Sequence, residues 1–211
     1  MPAKNETYAG RAGVIDCALD WPEGEPTGWA LVLHPHPLHG GARDNKVVTT
    51  IARACTQLGM VAVRPDFRGV GKSEGQFDQA RGETEDMLDL VAQFRERHPG
   101  PAGGRWVLAG FSFGTAVAAQ LYATLAEQGQ PLPDAVVLAG PAVRRFQFRD
   151  VRLPADTLLI HGEQDEVVPL AEASEWAESL GLPVTVVPQA SHFFHGKLIE
   201  LRDLVTQAIK R

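Results

Sequence analysis

Ser112 has a glycine two positions away on each side, in the run Gly110, Phe111, Ser112, Phe113, Gly114. In the pattern G-x-S-x-G a serine can sit on a sharp turn from strand to helix, where small neighbours tolerate a strained backbone that thrusts the hydroxyl outward. Both halves of such a turn are present: the apolar run Arg105 to Gly110 precedes Ser112, and the small-residue stretch GTAVAAQL follows it. A serine hydroxyl is a weak nucleophile at neutral pH, so it needs a base within hydrogen-bond reach and a carboxylate to orient that base. The chain order for this arrangement is Ser, then Asp or Glu, then His. Asp165 follows the apolar run DTLLIHG and His192 follows PVTVVP, so each partner comes in the required order after a separate apolar run. The base must be neutral to accept a proton, so activity is expected to fall on acidification through the histidine range. The N–H of Phe113, at the start of the following helix, is the expected first donor of an oxyanion hole. Plainer readings compete: Ser112 as a helix N-cap, Asp165 as a turn-former, Glu163 or Asp150 as the acid, and His195 as the base. His195 is the better candidate to cap or pack against the last helix.

A second chemically loaded stretch, LHPHPLHGG, carries His34, His36 and His39. The spacing H-x-H-x-x-H can be a zinc site, as in the H-x-H-x-D-H pattern of hydrolases of the metallo-β-lactamase type. Leu38 stands where that pattern has aspartate, and no second cluster of ligands follows, so the metal reading is the weaker one. His34 is then a structural group at the end of a strand and His39 a loop or pocket residue, with no metal and no cofactor expected.

The elements that must position these residues are legible as short apolar runs: Trp29 to His34, Met60 to Pro65, Arg105 to Gly110, Asp134 to Gly140, Asp156 to Gly162 and Pro183 to Pro188. Continuous rather than alternating apolarity marks strands buried on both faces. Between most of them lie segments of helical periodicity, Lys46 to Leu58, Thr84 to Arg97, Gly114 to Glu127, Ala171 to Leu180 and Lys197 to Lys210. This alternation predicts right-handed crossovers and an α/β fold, a mostly parallel doubly wound sheet with helices on both faces. Gly13 to Asp20 is expected to add an edge strand before the parallel set. Ligands of such sheets bind beyond the carboxyl ends of the strands, which is where the residues above fall.

With 211 residues, no internal repeat and no linker, residues 1–211 are expected to form one domain. A net charge of −6 gives no basic field for nucleic acid. No apolar run has the length of a membrane span. The start, MPAKNETYAG, lacks the apolar stretch of a secretory signal, which leaves a cytoplasmic protein as the expectation. Cys17 and Cys55 have neither zinc-ligand spacing nor the number of a disulfide framework, and are expected to be buried thiols.

These motifs together resemble the α/β-hydrolase superfamily over Leu33 to His192. DFRGVGKSEG (Asp66 to Gly75) resembles its D-x-R-G-x-G-x-S turn, and HGEQDEVVP its acid loop. The combination HPHPLHGG, DNKVV, GFSFG and SHFFHGKL is similar to a subgroup of small bacterial hydrolases akin to dienelactone hydrolases and lidless esterases. The resemblance implies a nucleophile elbow at Ser112 and a triad with Asp165 and His192. It also implies a second oxyanion donor where the family has H-G-x: laid on His34-Pro35-His36, it selects the N–H of His36, with that of Leu38 as the alternative, since Pro35 and Pro37 cannot donate. Asp66 and Arg68 are better read as a structural turn network than as substrate binders, because charged residues interrupt the glycine pattern of a phosphate loop. Only Pro141 to Leu153 separates two strands at the place where relatives insert a lid, too short for a multi-helix cap. Phe111, Phe113, Phe146, Phe148, Phe193 and Phe194 are candidates to line an apolar acyl pocket. The function expected is a cofactor-free serine esterase acting on small acyl esters, with water as the second substrate. Thioesterase, lactonase or peptidase activity on the same residues, a metallohydrolase and a non-catalytic binding module are the alternatives.

Overall fold

The computed structural model describes residues 3–210. Among these residues eight strands form one sheet: β1 (Lys4–Gly10), β2 (Gly13–Asp20), β3 (Gly28–Leu33), β4 (Met60–Pro65), β5 (Arg105–Phe111), β6 (Ala135–Ala139), β7 (Leu158–Gly162) and β8 (Val184–Val187). Their spatial order is β1-β2-β4-β3-β5-β6-β7-β8. From β4 to β8 every pairing is parallel, while β2 runs antiparallel to both β1 and β4. The apolar runs became the parallel strands, those inside the sheet covered on both faces, while β8 at the edge is only partly buried. Every residue of β3 and β4 is buried.

Among the described residues are seven helices: α1 (Lys46–Gln57), α2 (Arg81–Arg97), α3 (Pro99–Ala102), α4 (Phe113–Glu127), α5 (Val143–Phe146), α6 (Leu170–Ser179) and α7 (Leu198–Ile209). α1 and α7 pack on one face, where Val47, Val48 and Ile51 meet Leu201, Val205 and Ile209 over Val32, Val107 and Val137. α2, α4 and α6 cover the other, contributing Leu90, Phe94, Val117, Leu121 and Trp176 around Leu31, Leu108 and Leu138. α4 is apolar almost all round, as a central helix must be. None of the described helices is long and apolar enough to cross a membrane. No lid stands over the sheet among the described residues: α5 is a single turn between β6 and β7.

One expectation is corrected. Gly13–Asp20 is a strand but not the edge; β1 lies outside it in a two-residue hairpin. KNETYAG escaped notice because an edge strand with one solvated face carries no continuous apolar run, and only Tyr8 in it is buried. Its free backbone is blunted by α2, whose Gln93 side chain accepts from Ala9 N–H at 3.0 Å and donates to Ala9 O at 2.7 Å. α2 also begins at Arg81, earlier than its periodicity suggests. Its first turn is held by carboxylates rather than by apolar residues: Asp78 accepts from Gly82 N–H, and Glu83 reaches back to Asp78 N–H.

Trp29, near the start of β3, is fully buried and stacks between Phe94 at 4.4 Å and Trp106 at 5.0 Å. It lies at the end of the strand opposite to His34. Trp29→Ala is expected to cost about 3–5 kcal/mol through lost burial and a residual cavity, read as a lowered midpoint in urea unfolding followed by circular dichroism.

Candidate active site

β5 delivers Ser112 into a conformation that few side chains adopt, with φ 53° and ψ −120°, before α4 begins at Phe113. Such a left-handed serine costs on the order of 1–3 kcal/mol and persists only where its surroundings enforce it. Here the backbone is tied on both sides: Ser112 N–H donates to Ala139 O on β6 at 2.9 Å, and Thr115 N–H donates to Ser112 O at 2.9 Å. The flanking glycines are required by close approach. A Cβ on Gly110 would lie 2.4 Å from Gly114 O, and one on Gly114 would lie 2.4 Å from Leu33 O. Gly114 therefore lets the start of α4 press against the end of β3. Although Ser112 occupies the N-cap position, its side chain makes no capping bond. Its Oγ lies instead 2.9 Å from His192 Nε2.

His192 sits in the loop after β8 and is buried, with its Nδ1 2.7 Å from Asp165 Oδ2. The loop is anchored by Phe194, fully buried at φ 52°. Asp165, after β7, also accepts through Oδ1 from the N–H groups of Val167 at 2.9 Å and Val168 at 2.7 Å. Burial opposes its charge, but the hydrogen bond and charge of His192 and the two N–H donors outweigh that and hold the carboxyl below its usual range. An ionised Asp165 requires the His192 proton on Nδ1, which leaves Nε2 free to accept from the Ser112 hydroxyl.

The competing groups stand outside this path of hydrogen bonds. Glu163 accepts from Gln189 N–H at 2.8 Å, and Asp150 is exposed. His195 is exposed, and of the two roles expected of it, capping or packing against the last helix, the cap is held by Lys197 instead. Two neighbours carry no sequence signal. His161, at the end of β7, is fully buried with Nε2 2.8 Å from Val168 O and 3.4 Å from Asp165 Oδ2. Burial holds its pKa down despite that hydrogen bond, so it stays neutral and donates to Val168 O. Glu166 accepts from His192 N–H at 3.2 Å. Neither residue could be chosen from spacing, because both act through the fold of the acid loop.

At the end of β3, the three histidines do not converge. His34 is fully buried, with Nδ1 2.6 Å from Pro35 O, and its Nε2 accepts from Phe67 N–H at 2.9 Å. That second bond places the ring proton on Nδ1, which donates to Pro35 O. In a trans peptide the N–H points away from the carbonyl oxygen of the same unit. Holding Pro35 O against the His34 ring therefore turns the His36 N–H the other way. His36 and His39 stack face to face, ring centroids 4.3 Å apart, rather than aiming nitrogens at one point. Among the described residues no three His, Cys, Asp or Glu side chains are grouped as metal ligands would be. Leu38 N–H is taken by His36 Nδ1 at 3.2 Å, and the Leu38 side chain is exposed. Phe113 N–H, first in α4, is one of those for which a helix supplies no acceptor.

Ser112, His192, Phe113, Pro35 and His36 line a cavity of about 280 Å³, closed on other sides by His39, Asn45, Ala142, Phe146, Val167, Val168 and Phe193. Three of the six candidate phenylalanines thus reach it. Phe111 and Phe194 are instead fully buried in the core, and Phe148 packs under the Arg81 guanidinium outside it. Arg145 is the one lining side chain with a permanent charge, and Glu172 on α6 grips it with two hydrogen bonds of 2.7 Å. The Asp66 and Arg68 turn is a structural network: Arg43 pairs with Asp66 and Asp16, and Arg68 with Asp86.

Residues 36–148, which include Ser112, match the family described as serine aminopeptidase, S33. A Xanthomonas campestris protein described as an a/b serine hydrolase without lid is 37% identical, with a TM-score of 0.88 over 100% of this chain and 95% of its own. An alpha-beta serine hydrolase homologue from Coxiella burnetii is 36% identical, with a TM-score of 0.85 over 98% of this chain and 97% of its own. An uncharacterized protein of Rickettsia prowazekii is 29% identical over 184 residues, 83% of this chain and 76% of its own.

The setting of His34 has a consequence for stability. Burial lowers its pKa from 6.5 to about 4, despite the hydrogen bond to Pro35 O. Between these values the unfolded chain binds a proton that the folded chain refuses, so stability is lost as pH falls through this window, by on the order of 3 kcal/mol. His34→Gln is expected to be less stable than the parent at pH 7, with the gap narrowing at pH 4. Paired urea melts at the two pH values measure it, and an unchanged gap would assign the acid sensitivity to other groups.

Proposed function

The chain belongs to the α/β-hydrolase superfamily, among its serine hydrolases, and from that premise we propose that it cleaves small carboxylic esters through an acyl-enzyme on Ser112. The observation that carries the reading is the unbroken path of hydrogen-bond distances from Ser112 Oγ through His192 to Asp165, 2.9 and 2.7 Å long. As Oγ attacks the ester carbonyl, His192 Nε2 takes its proton, and Asp165 stabilises the imidazolium that forms. The carbonyl oxygen becomes an oxyanion facing the N–H groups of Phe113 and His36. When the intermediate collapses, His192 returns the proton to the departing alkoxide. Water then attacks the acyl group with His192 again as base, releasing the acid and restoring Ser112.

The pocket supports an ester rather than an aminopeptide substrate. An aminopeptidase must hold a free α-ammonium group, which calls for a carboxylate, yet the lining contains no Asp or Glu and its permanent charge is the cation Arg145. At about 280 Å³, the cavity is near the lower end for small-molecule sites, which favours short acyl groups. The absence of a lid among the described residues leaves the alcohol side of the ester open to solvent, so bulkier alcohols are expected to be tolerated.

Purified protein is expected to hydrolyse p-nitrophenyl acetate and butyrate and to be labelled at Ser112 by a fluorophosphonate. Ser112→Ala should abolish labelling and lower kcat by about four orders of magnitude or more. Activity that survives Ser112→Ala and is removed by a chelator would instead favour a metallohydrolase. A folded protein with neither labelling nor turnover would favour a binding module.

A further inference from the structure

We propose that the imidazole of His36 is a positioning residue: through Nδ1 it fixes the turn that aims its own backbone N–H at the oxyanion formed over Ser112. The proposal rests on the acyl-enzyme reading above. Proline occupies positions 35 and 37, so between Pro35 and Leu38 only His36 and Leu38 own an N–H. The His36 ring consumes one of them, accepting from Leu38 N–H at 3.2 Å. The His36 carbonyl accepts two more, from His39 N–H at 3.1 Å and Gly41 N–H at 3.0 Å. Both acceptors of this one residue are therefore spent on closing the short 3-10 turn Pro37–His39, of which it is the N-cap. Its own N–H, with no acceptor among the described residues, is left as the donor at the pocket wall. The ring thus does two things at once. It locks the turn, and it removes the competing donor.

The ring is held in place for this task. It stacks on His39 and meets the rings of Phe77 at 4.7 Å, Phe113 at 5.3 Å and Phe146 at 5.4 Å. Phe113 is itself the residue that supplies the other oxyanion donor, so the contact ties the two donors into one unit. Only a neutral ring with its proton on Nε2 can accept at Nδ1. Burial, and then the neighbouring His39, lower the pKa of His36 and favour that neutral form. His34 fixes the Pro35–His36 peptide from behind and His36 fixes it from the front.

Two crossed substitutions separate the acceptor from the aromatic ring. His36→Phe keeps a ring against Phe113 and Phe146 but cannot accept from Leu38 N–H. His36→Asn loses the ring but places a carbonyl oxygen where an N-cap side chain accepts from the residue two positions on. With p-nitrophenyl butyrate, His36→Phe is expected to lower kcat about 10-fold or more, as for a misaligned oxyanion donor, with KM within about 2-fold. His36→Asn is expected to keep kcat within about 3-fold while KM rises. If His36→Phe retains the parent kcat, or if His36→Asn loses as much as His36→Phe, the ring is only a pocket wall and the proposal is overturned. Nitrogen-15 NMR of the unmodified protein at neutral pH tests it without any variant: a proton on His36 Nε2 is expected, and one on Nδ1 overturns it. Fluorophosphonate labelling of the parent at Ser112 reports separately on the acyl-enzyme reading, so the two can fail independently.

Discussion

A serine with φ 53° at the end of the central strand is a conformation that the rest of the chain has to enforce. Left alone, the backbone would relax, and the hydroxyl would fall back to cap α4 as serine commonly does at helix starts. Two neighbouring strands prevent this. β6 takes the Ser112 N–H through Ala139 O, and β3 lies so close that Gly114 has no room for a side chain. The strain is thus sustained by the parallel sheet itself, where β5 is flanked by β3 and β6 and buried throughout all but its first residue. The same close approach of β3 to α4 brings His36 and Phe113 to the wall of one cavity.

Strand order then determines which loop can supply which group. β3 and β6 neighbour β5, while β7 and β8 continue outward on the β6 side. Asp165, after β7, and His192, after β8, come from adjacent loops, which is why they meet although 27 residues apart. Reaching back across β6 to Ser112 requires a small residue beneath the ring. Gly140, just after β6, has His192 Cε1 only 3.2 Å from where a Cβ would stand. On the open side, the short α5 takes the position that a lid would occupy, pinned to α6 by Arg144–Glu175 and Arg145–Glu172. These exposed pairs contribute little to stability, but they hold Phe146 as a wall of the cavity.

Much of this was legible in the sequence because the strongest signals are those of buried parallel strands. Each of the six apolar runs became a strand to within about two residues, and Ser112, Asp165 and His192 all fall just beyond strand ends. What was not legible depends on faces and contacts rather than on runs. β1 is hidden by its solvated face, His161 by its position inside an apolar run, and the division of the phenylalanines between core and cavity by rotamers no spacing reveals. Leu38 was indistinguishable from His36 as a donor for the same reason. What the structure adds is the His36 side-chain nitrogen, which accepts from the Leu38 N–H.

The D-x-R-G turn after β4 illustrates how a motif can be recognised before its purpose is visible. Read along the chain, Asp66-Phe67-Arg68-Gly69 is a charged turn. In space it supports the loop after β3: Arg43 clamps Asp66, Arg68 is gripped by Asp86 on α2, and between them Phe67 presents its N–H to His34 Nε2. That bond fixes which nitrogen of His34 carries the proton, and hence which carbonyl it holds. The carbonyl belongs to Pro35, whose peptide unit carries the His36 N–H. The ion pairs around this turn therefore bear on the loop after β3 through a single buried imidazole. A lysine or arginine in place of His34 could not serve, because neither can accept a hydrogen bond.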